Sequence, residues 1–185
     1  MNKLLLGVLL GAATGAAMPS VQALPRAQVG AQRHTVREYF DLVPDEFFLD
    51  SVVRHRLLDK KRSPDAVVDI AHDFLQCSED DGNIRLTLAV FRHHNKELLA
   101  LSFSDERGHL LRFYKLRGGQ LVDVTSQYPR VPREPFNYDL GEGQQTQHAL
   151  LPRTGTTIRV EDDDGEKKRY LYSLAWRGGR FVKTR

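Results

Sequence analysis

The feature that most constrains the fold of this chain is the regular alternation of apolar stretches with turn-forming segments from Ile84 to the C-terminus. Strands joined by such short connections pair with their sequence neighbours in an antiparallel sheet. The first four stretches therefore predict a four-stranded meander: Ile84–Phe91, Leu98–Phe103, Leu110–Leu116 and Leu121–Thr125.

A second block near the C-terminus repeats the pattern and predicts three further strands: Thr156–Val160, Arg169–Trp176 and Arg180–Thr184. Its turn Arg177-Gly178-Gly179 matches Arg117-Gly118-Gly119 of the first block. Consecutive glycines allow the positive φ angles that tight hairpins need. We interpret the match as one hairpin type used twice, and a duplicated segment is the alternative.

The residues after Thr35 predict two short helices joined at a proline. Val36, Tyr39 and Phe40 recur at helical spacing. Pro44 then interrupts the pattern, and Asp45 is a suitable N-cap for a second helix that would extend toward Leu58.

The segment 64–77 fits two patterns. Ser63-Pro64-Asp65 combines a capping hydroxyl, a proline and an acid in the order typical of a helix start. Apolar residues also alternate with polar ones from Val68 to Phe74, as in a strand. From the pattern alone we favour the helix.

Together these patterns predict an α+β fold, with short N-terminal helices packed on an antiparallel β-meander sheet of about six to eight strands. We expect a flexible lead-in at 24–35 and a single domain at 36–185. A Pro-rich connection at 126–152 separates the two strand blocks, and a short strand at Gln147–Leu151 would reduce its irregular part.

The first 23 residues have the composition of a signal peptide. Lys3 supplies the positive charge, Leu4–Met18 is apolar, and Val21-Gln22-Ala23 suits signal peptidase, with cleavage between Ala23 and Leu24. The apolar run is shorter than the roughly 20 residues needed to cross a bilayer. We therefore expect a periplasmic or secreted protein with no membrane span after leader removal.

Charge and cysteine content exclude several functional classes. The formal charge of +3 comes from interspersed lysines, arginines and acids, which does not predict a nucleic-acid partner. Cys77 is the only cysteine, so no internal disulfide can form, and we interpret it as a half-buried small residue.

Candidate metal sites fail on spacing. EF-hand loops aligned on Gly82 or Gly165 would place leucine at the position that needs a bidentate glutamate. His93 and His94 are adjacent, and adjacent strand residues point to opposite faces. His72 near Cys77 does not make a catalytic dyad by sequence proximity alone. We expect no metal and no cofactor.

Four aromatic residues form the candidate ligand or partner face: Tyr114, Tyr172, Trp176 and Phe181. Tyr172 and Trp176 share strand parity, so core packing against the N-terminal helices is an equally good interpretation.

Several short motifs occur together along the chain: Phe113-Tyr114, Val122-Asp123-Val124-Thr125, Leu151-Pro152-Arg153, the Gly178-Gly179 hairpin and the early Tyr39-Phe40 with Pro44-Asp45. On these motifs the chain resembles a loose group of small exported bacterial proteins of unknown function. It implies an N-terminal helical piece followed by antiparallel strands, with a strand at Phe74–Ser78, in a bacterial envelope setting. It implies no activity.

The sequence thus favours a non-catalytic binding or accessory module whose partner is an envelope protein or a small ligand. The alternative is a hydrolase of envelope polymers with paired carboxylates drawn from Asp80, Asp123 and Glu161. A structural protein with no discrete ligand is the third possibility.

Overall fold

A computed structural model describes residues 33–48, 54, 56–61, 63–79, 84–105, 108–131, 146–163 and 167–185. The predicted leader at 1–23, its cleavage site at Ala23 and Leu24, and most of the lead-in at 24–35 lie outside these residues. Within the described ranges, no helix is both long enough and apolar enough to span a membrane.

Six strands form the first sheet, and each is antiparallel to the next in chain order. They are β1 Val67–Asp69, β2 Phe74–Glu79, β3 Ile84–His93, β4 Lys96–Asp105, β5 Gly108–Arg117 and β6 Gln120–Asp123. The predicted meander over β3 to β6 is confirmed, and β1 and β2 extend it at one edge. In the register, Leu88 lies opposite Leu101, and Ala100 lies opposite Phe113.

The second sheet is also an antiparallel meander, with its strands in the order β10, β9, β8, β7. They are β7 Thr146–Leu150, β8 Thr157–Asp163, β9 Lys168–Arg177 and β10 Arg180–Thr184. A bulge between Val160 and Glu161 interrupts the pairing of β8 with β9. The described part of the chain therefore holds ten strands, more than the six to eight that the sequence predicts.

The described residues contain fewer and shorter helices than the predicted α+β fold. The α-helix α1 spans Val36–Asp41 and begins with a capping box, in which Thr35 and Glu38 bond each other's backbone N–H groups. After Pro44 a 3-10 turn at Asp45–Phe47 takes the place of the first turn of the predicted second helix, and Phe48 is extended. Further along the predicted range Arg54 and Arg56 are helical, and residues 49–53 and 55 lie outside the described residues. The fold is mainly β.

The predicted helix at 64–77 is wrong. This segment forms β1, a 3-10 turn at Ile70–His72, and β2. Phe74 and Leu75 are both buried, but they join hydrophobic clusters on opposite faces of the sheet. Successive residues of a strand separate in this way, and pairing with β3 outweighs the local helix-start signal. The resemblance had implied the strand.

The central strands are buried on both faces of the six-stranded sheet. On one face, here called the helix-covered face, Leu75, Leu88 and Leu101 pack beneath Tyr39 and Phe40 of the N-terminal segment. The other, the sheet-covered face, packs against the inner side of the second sheet. The buried cluster between the two sheets includes Leu98, Ala100 and Phe113 of the first sheet and Ile158 and Leu174 of the second. The described residues therefore form three layers.

The strand β7 packs against β5 and β4 of the six-stranded sheet. The ring of His148 lies 5.1 Å from that of His109 on β5, and the next residue, Ala149, accepts a hydrogen bond from Ser102 on β4. Beyond β7, Arg153 forms an ion pair with Asp69 at the end of β1. Because β7 and the residues after it contact β5, then β4 and then β1, we infer that this part of the second sheet runs across the strands of the first sheet.

The two glycine-pair turns are tight hairpins, as predicted. Gly118 and Gly119 join β5 to β6 with φ of 57° and 80°, and Gly178 and Gly179 join β9 to β10 with φ of 59° and 79°. Positive φ at both central residues matches the twist of the flanking strands.

Candidate functional site

A small cleft opens on the helix-covered face, where the N-terminal segment meets the ends of β2, β3 and β4. Its volume is about 100 Å³. The cleft is lined by Glu46, Phe47, Phe48, Leu57, Cys77, Ser78, Ile84, Leu86, Phe103 and Asp105. It is the best candidate for a binding site in the described part of the chain.

Pro44 and the 3-10 turn build one wall of the cleft from aromatic rings. Phe47 packs edge-on against Phe103 of β4, with ring centroids 5.8 Å apart, and Phe48 packs against Phe40 at 5.6 Å. The Arg54 guanidinium lies 4.5 Å from the Phe48 ring and donates a 2.6 Å hydrogen bond to the Val43 carbonyl. These contacts hold the turn against the sheet and leave a gap beside it.

The floor of the cleft presents an apolar surface. Cys77 is fully buried, which corrects the expectation that it is half-buried, and Leu86 is buried beside it. The Ser63 hydroxyl donates to the Ser78 carbonyl at 2.8 Å, and the Ser78 hydroxyl donates to the Asp65 carboxylate at 2.6 Å. Since these groups are occupied within the fold, apolar contact dominates at the floor.

Two carboxylates make the rim of the cleft acidic. Glu46 is exposed and Asp105 is half-buried, and both line the opening. Burial first, and then the Asp123 carboxylate, raises the pKa of Tyr114 to about 12 against an opposing effect of Arg112, and Glu46 adds a smaller increase. The exposed Glu46 carboxylate favours a cationic group at the opening of the cleft.

An ionic network fastens the N-terminal segment to the sheet at the other end of the same face. The Tyr39 hydroxyl donates to Glu97 at 2.8 Å, and Glu97 pairs with Arg92. Arg92 also pairs with Asp73 at 2.6 Å and donates to the His34 carbonyl. Burial and the Glu97 carboxylate raise the pKa of the Tyr39 hydroxyl well above its ordinary range, so the phenol stays protonated.

The four aromatic residues predicted as a ligand face do not lie together. Trp176 and Phe181 are in contact, with centroids 5.0 Å apart, and Tyr172 belongs to the same cluster on the sheet-covered face. Tyr114 is buried on the helix-covered face. Tyr172 and Trp176 pack against the six-stranded sheet, which corrects the expectation that they pack against the N-terminal helices.

Trp176 and Phe181 are tied into a larger group of rings. Phe181 lies 5.0 Å from Phe91 and 5.3 Å from Phe113, and Tyr128 lies 5.0 Å from Phe113. The Trp176 indole donates to the Arg92 carbonyl at 3.3 Å. Because these rings fill the space between the two sheets, their main role is packing.

The structure also brings together a serine and a histidine that the sequence did not single out. Ser102 Oγ lies 2.8 Å from His109 Nε2, the spacing of a nucleophile and its base. Both residues are buried beneath β7. Burial, together with nearby His148, lowers the pKa of His109 to about 3, and the Gln147 backbone only partly opposes this. So weak a base does not activate a hydroxyl, and the pair has a structural role.

The carboxylates predicted for a hydrolase lie on different sheets where they are described, and each is paired with an arginine. Asp123 is on β6 of the first sheet and lies 3.4 Å from Arg112, whereas Glu161 is on β8 of the second sheet and lies 2.8 Å from Arg159. Asp80 lies outside the described residues. Among the residues whose positions are described, no group of three or more His, Cys, Asp or Glu side chains could hold a metal ion.

His72 and Cys77 do not form a catalytic pair. The His72 ring is exposed and bonds the Asp69 carboxylate at 2.9 Å, whereas Cys77 is buried on the helix-covered face.

Comparison with protein-family models, curated proteins and solved structures gave no match to this chain. The role of the cleft is therefore inferred from its geometry alone. Sequence analysis missed it because its lining is drawn from four separate segments. The one local signal was Pro44, which marks where the helical pattern breaks and the chain turns over the sheet.

Proposed function

We propose that this protein is an exported, non-catalytic binding module of the bacterial cell envelope, and that its cleft receives one apolar side chain of a partner polypeptide. The observation that carries the proposal is the combination of a small volume, an apolar floor and an acidic rim in one opening. The leader-like N-terminus supports the export part of the proposal.

The size of the cleft favours a side chain over a free small molecule. Sites for drug-sized ligands and cofactors are typically about 300–1,000 Å³. An engineered cavity of about 150 Å³ accepts a benzene-sized molecule. At about 100 Å³, the cleft admits one leucine side chain, or a phenylalanine ring that enters it only in part, from outside. Single apolar anchors in such pockets dominate many protein interfaces.

The charge of the rim favours particular neighbours for that anchor. With the exposed Glu46 at the opening, a lysine or arginine beside the apolar residue gains a favourable interaction, whereas an acid is repelled. The preferred partner segment therefore carries Leu or Phe flanked by Lys or Arg.

Export is tested by expressing the full chain in a bacterial host and measuring the intact mass of the product in each cell fraction. We expect a periplasmic or secreted product that begins at Leu24. A product that retains residues 1–23 and stays in the cytoplasm would contradict the export proposal.

Binding is tested with a panel of short synthetic peptides that differ at two features. The central residue is Phe, Leu, Ala or Asp, and the flanking residues are Lys or Glu. Fluorescence anisotropy should rank Phe and Leu with Lys flanks first. Replacement of the anchor by Ala should weaken binding by about tenfold or more, since burial of a large apolar side chain contributes roughly 1.5–3 kcal/mol.

Two variants with matched controls place the binding at the cleft. Ile84→Phe fills the cleft from its edge, and Val122→Phe adds the same ring at an exposed site on β6. Glu46→Lys reverses the rim charge, and Asp41→Lys makes the same change at a residue that does not line the cleft. Only the first member of each pair should weaken binding. Equal binding by Ile84→Phe and the unmodified protein would overturn the proposal.

A further inference from the structure

A second feature lies at the turn between β3 and β4, away from the cleft. His93 is the last residue of β3, and His94 follows it in the two-residue connection to Lys96. The two imidazole rings are in contact, with centroids 4.3 Å apart and planes inclined at 65°. His94 is exposed and His93 is half-buried.

The backbone explains why two adjacent side chains lie together. Adjacent residues of a regular strand point to opposite faces, and this was the argument against chelation by the pair. His94 has a φ of 52°, in the left-handed region that non-glycine residues seldom adopt. It has therefore left the strand conformation, and its ring lies against that of His93.

We infer that His93 and His94 form a two-imidazole binding site for a borderline-soft divalent transition-metal ion, Cu²⁺ above all. Imidazole nitrogen suits Cu²⁺, Ni²⁺ and Zn²⁺, and among divalent first-row ions affinity for such ligands is greatest for Cu²⁺. The protein offers two ligands, since within the described ranges no set of three or more metal-binding side chains exists. Water or a small exchangeable ligand completes the coordination.

A second pair of histidines, His109 and His148, differs from the pair at the turn in its access to solvent. His109 and His148 have ring centroids 5.1 Å apart, but His109 is 4% exposed and is covered by β7. An ion cannot reach that pair without separation of the two sheets. At the turn, solvent reaches His94 directly.

The test is a titration of the full chain with Cu²⁺ alone at pH 7.5, followed by electron paramagnetic resonance. We expect a one-to-one complex whose hyperfine pattern shows two imidazole nitrogens. In ¹⁵N-labelled protein, paramagnetic broadening should be centred on Arg92 to Lys96. Because protons compete for imidazole nitrogen, affinity should fall at pH 5.5.

Substitutions assign the ligands. His94→Asn removes one imidazole and keeps a residue type that tolerates positive φ, and His93→Gln removes the other. Loss of a group that only supports a metal ligand typically weakens metal binding by roughly tenfold or more. Each of these substitutions removes a ligand itself and should weaken Cu²⁺ binding by at least that factor. His72→Gln removes an exposed histidine elsewhere and should leave the affinity unchanged.

Two results would overturn the inference. One is Cu²⁺ affinity in the folded His94→Asn variant equal to that of the unmodified protein, with folding verified by circular dichroism. The other is broadening centred away from the turn in the unmodified protein.

Discussion

The two faces of the six-stranded sheet are covered in different ways, although the same strands supply both. The sheet-covered face meets a second sheet and is filled by interlocking rings such as Phe113, Trp176 and Phe181. The helix-covered face meets a six-residue helix and a 3-10 turn, which leave the cleft at one end. Among the described residues, the second sheet packs along the first face, whereas the N-terminal segment leaves the cleft open on the other. The proposed function therefore places binding on the helix-covered face, and we expect the sheet-covered face to contribute most of the stability.

The largest expected effect is the loss of a ring from the sheet-covered face. Phe113 is fully buried and lies about 5 Å from two other rings. Phe113→Ala should lower the free energy of unfolding by about 3–5 kcal/mol, through lost burial and an unfilled cavity. Urea denaturation followed by tryptophan fluorescence measures the change.

The matched substitution on the other face is Phe47→Ala. Because Phe47 already borders the cleft, its removal should cost less, about 2 kcal/mol. If Phe113→Ala and Phe47→Ala lowered the free energy of unfolding equally, the proposal that the sheet-covered face contributes more stability would be contradicted.

The next effect is sensitivity of the sheet-covered face to acid. The pKa of His109 in the folded chain is about 3, below its ordinary value of 6.5. Below pH 6.5 His109 is protonated in the unfolded chain but stays neutral in the folded protein. The free energy of unfolding therefore decreases as the pH falls from 6.5 to 3. The loss is about 1.4 kcal/mol per pH unit.

The contribution of His109 is isolated by comparing unfolding free energies at pH 7 and pH 4. His109→Gln should lose about 3 kcal/mol less than the unmodified protein over this interval. His94→Asn, at the exposed turn between β3 and β4, should follow the unmodified protein. The same acid sensitivity in all three proteins would show that His109 is not the responsible group.

A smaller effect is expected in the network that holds the N-terminal segment. Tyr39→Phe removes the hydrogen bond to Glu97 and should cost about 1 kcal/mol. In a double-mutant cycle with Glu97→Gln, the two costs should not add, because the residues are in contact. Additive costs from thermal unfolding would contradict the network.

The smallest effect compares the two glycine hairpins. Gly119→Ala and Gly179→Ala each place a side chain at positive φ, at a cost of about 1 kcal/mol. At Gly179 the new Cβ would also lie 2.9 Å from Cδ of Lys96, a flexible side chain, whereas at Gly119 nothing lies within 4 Å. Thermal unfolding should show a slightly larger loss for Gly179→Ala, and a reversed order would contradict this packing.

The sequence predicted the parts of the fold that depend on local signals. The hairpins at Gly118-Gly119 and Gly178-Gly179 follow from backbone freedom, and β3 to β5 follow from long apolar stretches. The helix start at Ser63-Pro64-Asp65 was misleading, since pairing of β2 with β3 outweighs it.

The parts that could not be predicted depend on contacts between distant segments. The cleft joins Phe47 to Phe103, and the buried Ser102 meets His109 under a strand from the second sheet. Even the contact between the neighbouring His93 and His94 could not be predicted, because it depends on the positive φ angle of His94.

The most direct test of the difference between the two faces is methyl NMR of the protein titrated with a peptide that carries Phe flanked by Lys. Ile84 and Leu86 report on the cleft, and Ile158 and Leu174 report on the sheet-covered face. We predict saturable shifts at Ile84 and Leu86, with Ile158 and Leu174 unchanged. Shifts confined to Ile158 and Leu174, or no shift at millimolar peptide, would contradict the assignment of binding to the helix-covered face.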